Sequence, residues 1–149
     1  MRMREIKFRG YAVEKMVNSQ WLVGFGVSEL KFAEHYAKEV GRDSDWWIYT
    51  YSGDYRVDPK SIGQYTGLKD KNGKEIYEGD ILQLRNIENK PYHMEVLWTG
   101  QGYGYKIIRN DTKSSGYIVG HLSERGLNFY NQTAEVIGNI YEKPSLLEV

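Results

Sequence analysis

The chain has no cysteine. Disulfides, thiolate metal sites and cysteine nucleophiles are all excluded. Histidine is scarce: His35, His93 and His121 lie far apart, and none has an acidic partner at ligand spacing. A zinc site needs about three or four convergent ligands, so no metal site is expected. No stretch approaches the ~20 apolar residues of a membrane helix. The start, Met1 to Gly10, carries Arg2, Arg4, Lys7 and Arg9 with no apolar run behind them, and no signal peptide is expected there. An excess of either charge is missing too. The 20 basic side chains match 20 acidic ones, and the balance holds within residues 1–60 (10 against 9) and 61–149 (10 against 11). Nucleic-acid binders usually carry a basic excess or a clustered basic face. The sequence has neither.

Catalytic signatures are also missing. There is no Gly-Lys-Ser/Thr phosphate loop. Gly100-Gln-Gly-Tyr-Gly104 lacks the GxGxxG spacing and the helix that should follow, so it reads as a hairpin turn. No nucleophile elbow frames any serine. Asp70, Glu75, Glu78 and Asp80 cluster in sequence, and paired carboxylates can bind Mg²⁺ or perform acid–base work. Lys69, Lys71 and Lys74 interleave with them, which makes a charge-paired surface the simpler reading. No catalytic, cofactor-binding or metal-ligating residue is expected.

What the chain does have is tyrosine and glycine, 13 and 16 residues of its 149. With little alanine, this composition suits strands and tight turns better than helices. Tyrosines line sheet cores and rims, and they are also enriched at protein interfaces. The length is enough to bury a core without covalent staples.

Residues 4–9 alternate polar and apolar and read as a half-buried strand. Tyr11 to Met16 reads as a second short strand. Gln20 to Val27 reads as one strand with Trp21, Val23, Phe25 and Val27 on one face. Its other face, with Leu22, Gly24 and Gly26, is thin enough for another backbone or a bulky side chain to approach closely. Ser28 to Val40 changes period, with Phe32, Tyr36 and Val40 four apart, and predicts a short amphipathic helix of about 29–40. Ser28 is its expected N-cap and Gly41 its C-terminal stop. Trp46 to Tyr51 is aromatic and β-branched, hence a strand. Its stripe of Trp47, Tyr49 and Tyr51, beside Trp46, suits core packing or base stacking. A turn is expected at Gly53-Asp54 and another at Asp58-Pro59-Lys60-Ser61. The subdomain seam is placed near residue 60.

Ser61 to Leu84 organises the second half. Gln64 to Asp70 is a strand with a bulge-prone Gly67. Asn72-Gly73 is a strong hairpin signal and predicts a type I′ turn. Lys74 to Tyr77 returns, Glu78-Gly79-Asp80 turns again, and Ile81 to Arg85 follows as a strand. Asp80 is expected to accept backbone N–H groups in its turn. Further strands are expected at Tyr92 to Trp98, Tyr105 to Ile108, Tyr117 to Val119 and Ala134 to Tyr141, with a polar turn at 111–116. A stub helix starts at Pro144. Short strands joined by short turns imply antiparallel pairing. Five or so bent strands after residue 60 are expected to close into a small barrel, which removes sheet edges.

Gln64-Tyr-Thr-Gly-Leu-Lys-Asp-Lys-Asn-Gly-Lys-Glu-Ile-Tyr-Glu-Gly-Asp80 resembles the central motif of the YopX family, a group of small phage and prophage proteins. Arg4-Glu-Ile-Lys-Phe-Arg-Gly10, Trp21-Leu-Val-Gly-Phe25 and Val136-Ile-Gly-Asn-Ile-Tyr-Glu142 followed by Pro144 to Leu147 match its other segments in order. The resemblance implies a mainly β fold, with an SH3-like small barrel in the C-terminal part, residues 61–149, and a β-rich N-terminal part, residues 1–60. It implies a phage or prophage origin and a bacterial cytoplasm. It brings no activity, cofactor or catalytic residue. Residues 28–45 depart from the family's pattern. The function expected is a non-catalytic interaction or assembly module, a homo-oligomer or a binder of another protein. The alternative is a nucleic-acid-binding small-barrel module using Trp46, Trp47, Tyr49 and Tyr51 with Arg2, Arg4, Lys7 and Arg9.

Overall fold

A computed structural model of the chain describes residues 5–109, 118–122 and 134–147. The chain is mainly β, with one α-helix among the described residues. It divides into two compact units, Met1–Gln64 and Tyr65–Val149.

In the first unit, β1 (Phe8–Tyr11) pairs antiparallel with β2 (Trp21–Gly24), setting Phe8 opposite Gly24 and Tyr11 opposite Trp21. A three-stranded antiparallel sheet has the order β3 (Gly26–Lys31), β4 (Ser44–Thr50), β5 (Gly53–Val57). The two sheets meet at their glycines. A Cβ on Gly24 would lie 2.2 Å from the Tyr49 carbonyl oxygen, and one on Gly10 would lie 2.9 Å from a Val57 methyl. The thin glycine face thus admits a backbone, as the alternation of Gln20 to Val27 led us to expect. Ile48, Val57 and Ala12 are buried at this contact. Asp58 caps a 3₁₀ turn, Pro59–Ser61, by accepting the Lys60 N–H at 3.0 Å. β6 (Gly63–Lys69) begins in this unit, with Gly63 and Gln64 paired to β1.

Several boundaries differ from the sequence reading. Gln20 to Val27 is not one strand, because the chain bends at Phe25 and hands its second half to another sheet. Tyr11 to Met16 is not a second strand: Tyr11 ends β1, and beyond it there is an isolated bridge, Ala12 to Val57. Gly53 and Asp54 open β5 instead of forming the turn, which falls at Tyr51 and Ser52. The helix α1 is Glu34–Val40, shorter than 29–40. Residues 26–31 are strand because β4 offers them a full ladder, Gly26 against Tyr49 through Lys31 against Ser44. A hydrogen-bonded neighbour outweighs weak helix propensity. Ser28 therefore caps nothing; the helix starts from extended Ala33 with no side-chain cap. Gly41 does stop it, in the left-handed conformation at φ 80°.

The second unit holds the remainder of β6, then β7 (Glu75–Tyr77), β8 (Asp80–Arg85), β9 (Pro91–Trp98), β10 (Tyr103–Arg109), β11 (Ile118–His121) and β12 (Glu135–Asn139). β6 pairs with β7 through a register shift that spans Gly67, at φ 88°. The five-stranded sheet runs β11-β10-β9-β8-β12. Ile76, Leu82, Leu84, Met94, Val96 and Ala134 form its buried cluster. The expected barrel is not closed. β11 and β12 are the two ends of the sheet and do not pair among the described residues. The stub after Pro144 is one 3₁₀ turn, Pro144–Leu147. The turn expected at 111–116 lies outside the described residues.

The Asn72-Gly73 turn is real but is not type I′. Gly73 has φ 81°, while Asn72 is not among the residues with positive φ. Gly73 N–H donates to the Asp70 carbonyl at 3.0 Å, and Asp70 N–H donates to the Lys74 carbonyl at 2.8 Å. This is a three-residue loop in which a type I turn is followed by a left-handed glycine. The Asp70 side chain explains the preference: its Oδ1 accepts the N–H groups of Asn72 and Lys74, both at 2.9 Å.

Candidate functional site

Two of the clustered carboxylates, Asp70 and Asp80, accept hydrogen bonds from the backbone. Asp70 is buried, and its Oδ2 accepts the Val136 N–H at 2.9 Å in addition to the two bonds at Oδ1. Asp80 is 1% exposed, and its Oδ2 accepts the Tyr77 N–H at 2.8 Å. That is the turn-closing role expected of it. Glu75 lies 3.3 Å from the Tyr77 hydroxyl. The histidines are not brought together: His35 is exposed on α1, His93 lies 3.4 Å from Gln83, and His121 is exposed beside Gly102. Among the described residues, no group of three or more His, Asp or Glu is placed to hold a metal.

The aromatic stripe is broken. Trp47 and Tyr49 share a face of β4 opposite the buried Ile48, and the Tyr49 hydroxyl bonds the Ser28 hydroxyl at 2.5 Å. Tyr51 lies beyond the strand, 97% exposed, with its ring 5.2 Å from that of Phe25. Beside Trp47, Asp45 accepts from Arg42 at 2.7 Å and from Arg56 at 3.4 Å. The Arg42 hydrogen bond, with the charges of Arg42 and Arg56 behind it, holds the Asp45 carboxyl below its ordinary range. Of the basic N-terminal residues, Arg2 and Arg4 lie outside the described residues, and Lys7 pairs with Glu5 at 3.2 Å. The Arg9 guanidinium sits 4.9 Å above the Trp21 ring, whose edge contact with Tyr11 spans 5.3 Å. The sequence reading missed this stack. Its signal is the cross-strand register of β1 and β2, which sequence spacing alone does not give.

The least satisfied surface is that of β3 and α1. No residue of α1 is buried. Phe32 and Tyr36 pack on each other at 4.9 Å, yet Tyr36 remains 44% exposed. The outer half of β3, Glu29-Leu30-Lys31, is exposed, and an open groove of about 780 Å³ runs beside it, lined by Glu29, Lys31, Phe32, Lys38 and Arg42 among others. This edge escaped the sequence reading because residues 29–31 were assigned to the helix. The alternation of Val27, Glu29 and Lys31 against Gly26, Ser28 and Leu30 was the available clue.

The model of the YopX protein family matches residues 7–148, nearly the whole chain. The chain belongs to the YopX family. The matched span includes both units and the β3–α1 surface. No curated protein matches the chain. Among solved structures, this YopX-family chain is similar to protein EF1440 from Enterococcus faecalis, at 22% identity and a TM-score of 0.51, covering 98% of this chain and 100% of that one. At that identity the likeness speaks for the fold.

Proposed function

We propose that this YopX-family chain is a non-catalytic interaction module that assembles with its own copies or with another protein. The observation that carries the reading is the β3–α1 surface, where a helix buries none of its residues beside a strand edge that pairs with no other strand among the described residues. Phe25, Leu30, Tyr36 and Tyr51, all in the first unit, are exposed apolar side chains, with the Phe25 and Tyr51 rings 5.2 Å apart, and exposed apolar patches mark interaction sites. Two of the clustered carboxylates, Asp70 and Asp80, are engaged in holding turns. Light scattering on the full chain, with affinity recovery from phage-infected bacterial lysate, tests the reading. Self-association or a stoichiometric protein partner is expected. A strict monomer that recovers no protein overturns it.

A phage or prophage setting, and with it the bacterial cytoplasm, is part of the same proposal and rests on family membership. We also read the second unit as SH3-like. Three bulged pairings support this, at Tyr105/Lys106, Ile107/Arg109 and Val136/Gly138, since bulges bend and twist the strands that carry them.

A second reading has its own observation. The Arg9–Trp21–Tyr11 stack combines a cation with aromatic rings, the pairing that single-stranded nucleic acids bind. Fluorescence anisotropy with single- and double-stranded DNA and RNA across a salt series tests it. Absence of binding at low salt ends this reading.

A further inference from the structure

We propose that the outer edge of β3 pairs antiparallel with the same edge of a second copy of this chain, with Leu30 at the two-fold axis. The inference rests on the assembly reading and names its interface. Among the described residues β3 ends its sheet, whose order is β3-β4-β5. Phe32 N–H donates to the Asp43 carbonyl at 2.9 Å. That pair continues the register setting Leu30 opposite Asp45 and Ser28 opposite Trp47. Mutually bonded pairs alternate along an antiparallel ladder. Ser28, Leu30 and Phe32 therefore bond inward to β4, and Val27, Glu29 and Lys31 direct their N–H and C=O groups outward. Gly26–Lys31 contains no proline to blunt that edge, and an unblunted edge is a template for another strand.

The side chains select the register. Across a two-fold axis normal to the sheet, opposed residues must share a face, so the pairing centres on one residue. Centring on Ser28 sets Val27 against Glu29. Centring on Glu29 sets two carboxylates face to face. Centring on Leu30 sets that residue, 56% exposed, against its own copy. It also sets Glu29 against the second copy's Lys31, twice. Unlike charges directly opposite stabilise a strand pair and like charges destabilise it. The outward backbone groups of Glu29 and Lys31 are then the ones that exchange hydrogen bonds. The three residues involved form the exposed end of the strand. On the inner side of the strand the Ser44 hydroxyl of β4 donates to Glu29 Oε2 at 2.8 Å, so the carboxylate turns outward from that bond to meet Lys31 of the second copy.

Analytical ultracentrifugation of the full chain tests the pairing. The wild-type chain is expected to dimerise reversibly. Glu29→Lys and Lys31→Glu should each weaken self-association about tenfold or more, because each replaces two unlike pairs with two like ones. The double substitution should restore it. Mixing the Glu29→Lys chain with the Lys31→Glu chain should give a mixed dimer, which also proves that both fold. A wild-type dimer indifferent to both single substitutions overturns this interface and leaves the assembly reading standing on another surface. Failure of the mixed dimer to form also overturns it. A wild-type chain monomeric to millimolar concentration overturns it and leaves the broader reading to recovery of a different protein. Loss of that recovery as well overturns both.

Discussion

Asp70 Oδ2 accepts the Val136 N–H at 2.9 Å, joining positions 66 residues apart. The same carboxylate closes its own hairpin at Oδ1 through Asn72 and Lys74. Close by, Lys71 N–H donates to the Ala134 carbonyl at 3.0 Å. One buried acid therefore ties the central hairpin to the entry of β12. Asp70→Ala removes the acceptor of three backbone donors; Asn72 and Lys74 are exposed, so water can meet theirs, whereas the donor of half-buried Val136 costs about 1–3 kcal/mol to orphan. We predict a loss of about 2 kcal/mol in urea unfolding. Asp70→Asn should lose less, since its amide oxygen still serves one side. Equal stability of the alanine variant and wild type would refute the role.

Gly73 is the second test of the same loop. Its φ of 81° lies in the left-handed region, and nothing lies within 4 Å of where a Cβ would stand. Space is not the constraint; backbone conformation is. Gly73→Val should cost about 2 kcal/mol, because a β-branched residue resists positive φ. Gly73→Asn should cost less than 1 kcal/mol, roughly, since Asn tolerates that region. Thermal melts of the two variants separate a conformational cost from a packing cost.

Gly24 and Gly26 sit two residues apart and have opposite environments. A Cβ on Gly24 meets the Tyr49 carbonyl oxygen at 2.2 Å, whereas one on Gly26 meets only the Tyr49 ring at 3.7 Å. Backbone cannot move aside as a flexible side chain can. Gly24→Ala is expected to destabilise by about 3 kcal/mol, the upper range for overpacking. Gly26→Ala should be neutral or slightly stabilising, because alanine loses less conformational freedom than glycine. Guanidinium melts followed by tryptophan fluorescence check the contrast. Equal effects would mean that the sheets are not packed through Gly24.

These glycines mark how far the sequence could be read. The alternation of Leu22, Gly24 and Gly26 announced a face open to close approach, and Tyr49 occupies it. The Asn72-Gly73 hairpin and the Asp80 turn were legible because their determinants lie within a few residues. The turn type was not, because Asp70 reaches forward along the loop and selects a longer one. The extent of α1 was misjudged for a related reason. Glu29, Leu30 and Lys31 satisfy a helical spacing and a strand alternation equally well, and β4 decides between them. The candidate interface lies on that ambiguous stretch. Its exposure depends on strand order, which periodicity does not encode.

Two carboxyls should leave opposite marks on the pH dependence of stability. The Arg42 hydrogen bond, then the charges of Arg42 and Arg56, lower Asp45 below its ordinary value. Its folded form releases the proton more readily than the unfolded chain, so its stabilisation is present above the usual Asp value of about 3.9 and is lost as pH falls through the lowered one. Glu95 is raised, chiefly by burial in β9, with the Lys106 charge opposing. Here the folded state binds the proton more tightly. A penalty is present above the raised value and disappears as pH falls through it toward the usual Glu value of about 4.3. Asp45→Asn should therefore lower the melting temperature at about pH 7, and by progressively less as pH falls from the usual Asp value through the lowered one. Glu95→Gln should raise the melting temperature at about pH 7 and converge with wild type near pH 3. Melting temperatures across that range, measured on the full chain, decide both. A Glu95→Gln variant less stable than wild type at neutral pH would mean that Lys106, across the strand pair, outweighs the burial of the carboxylate.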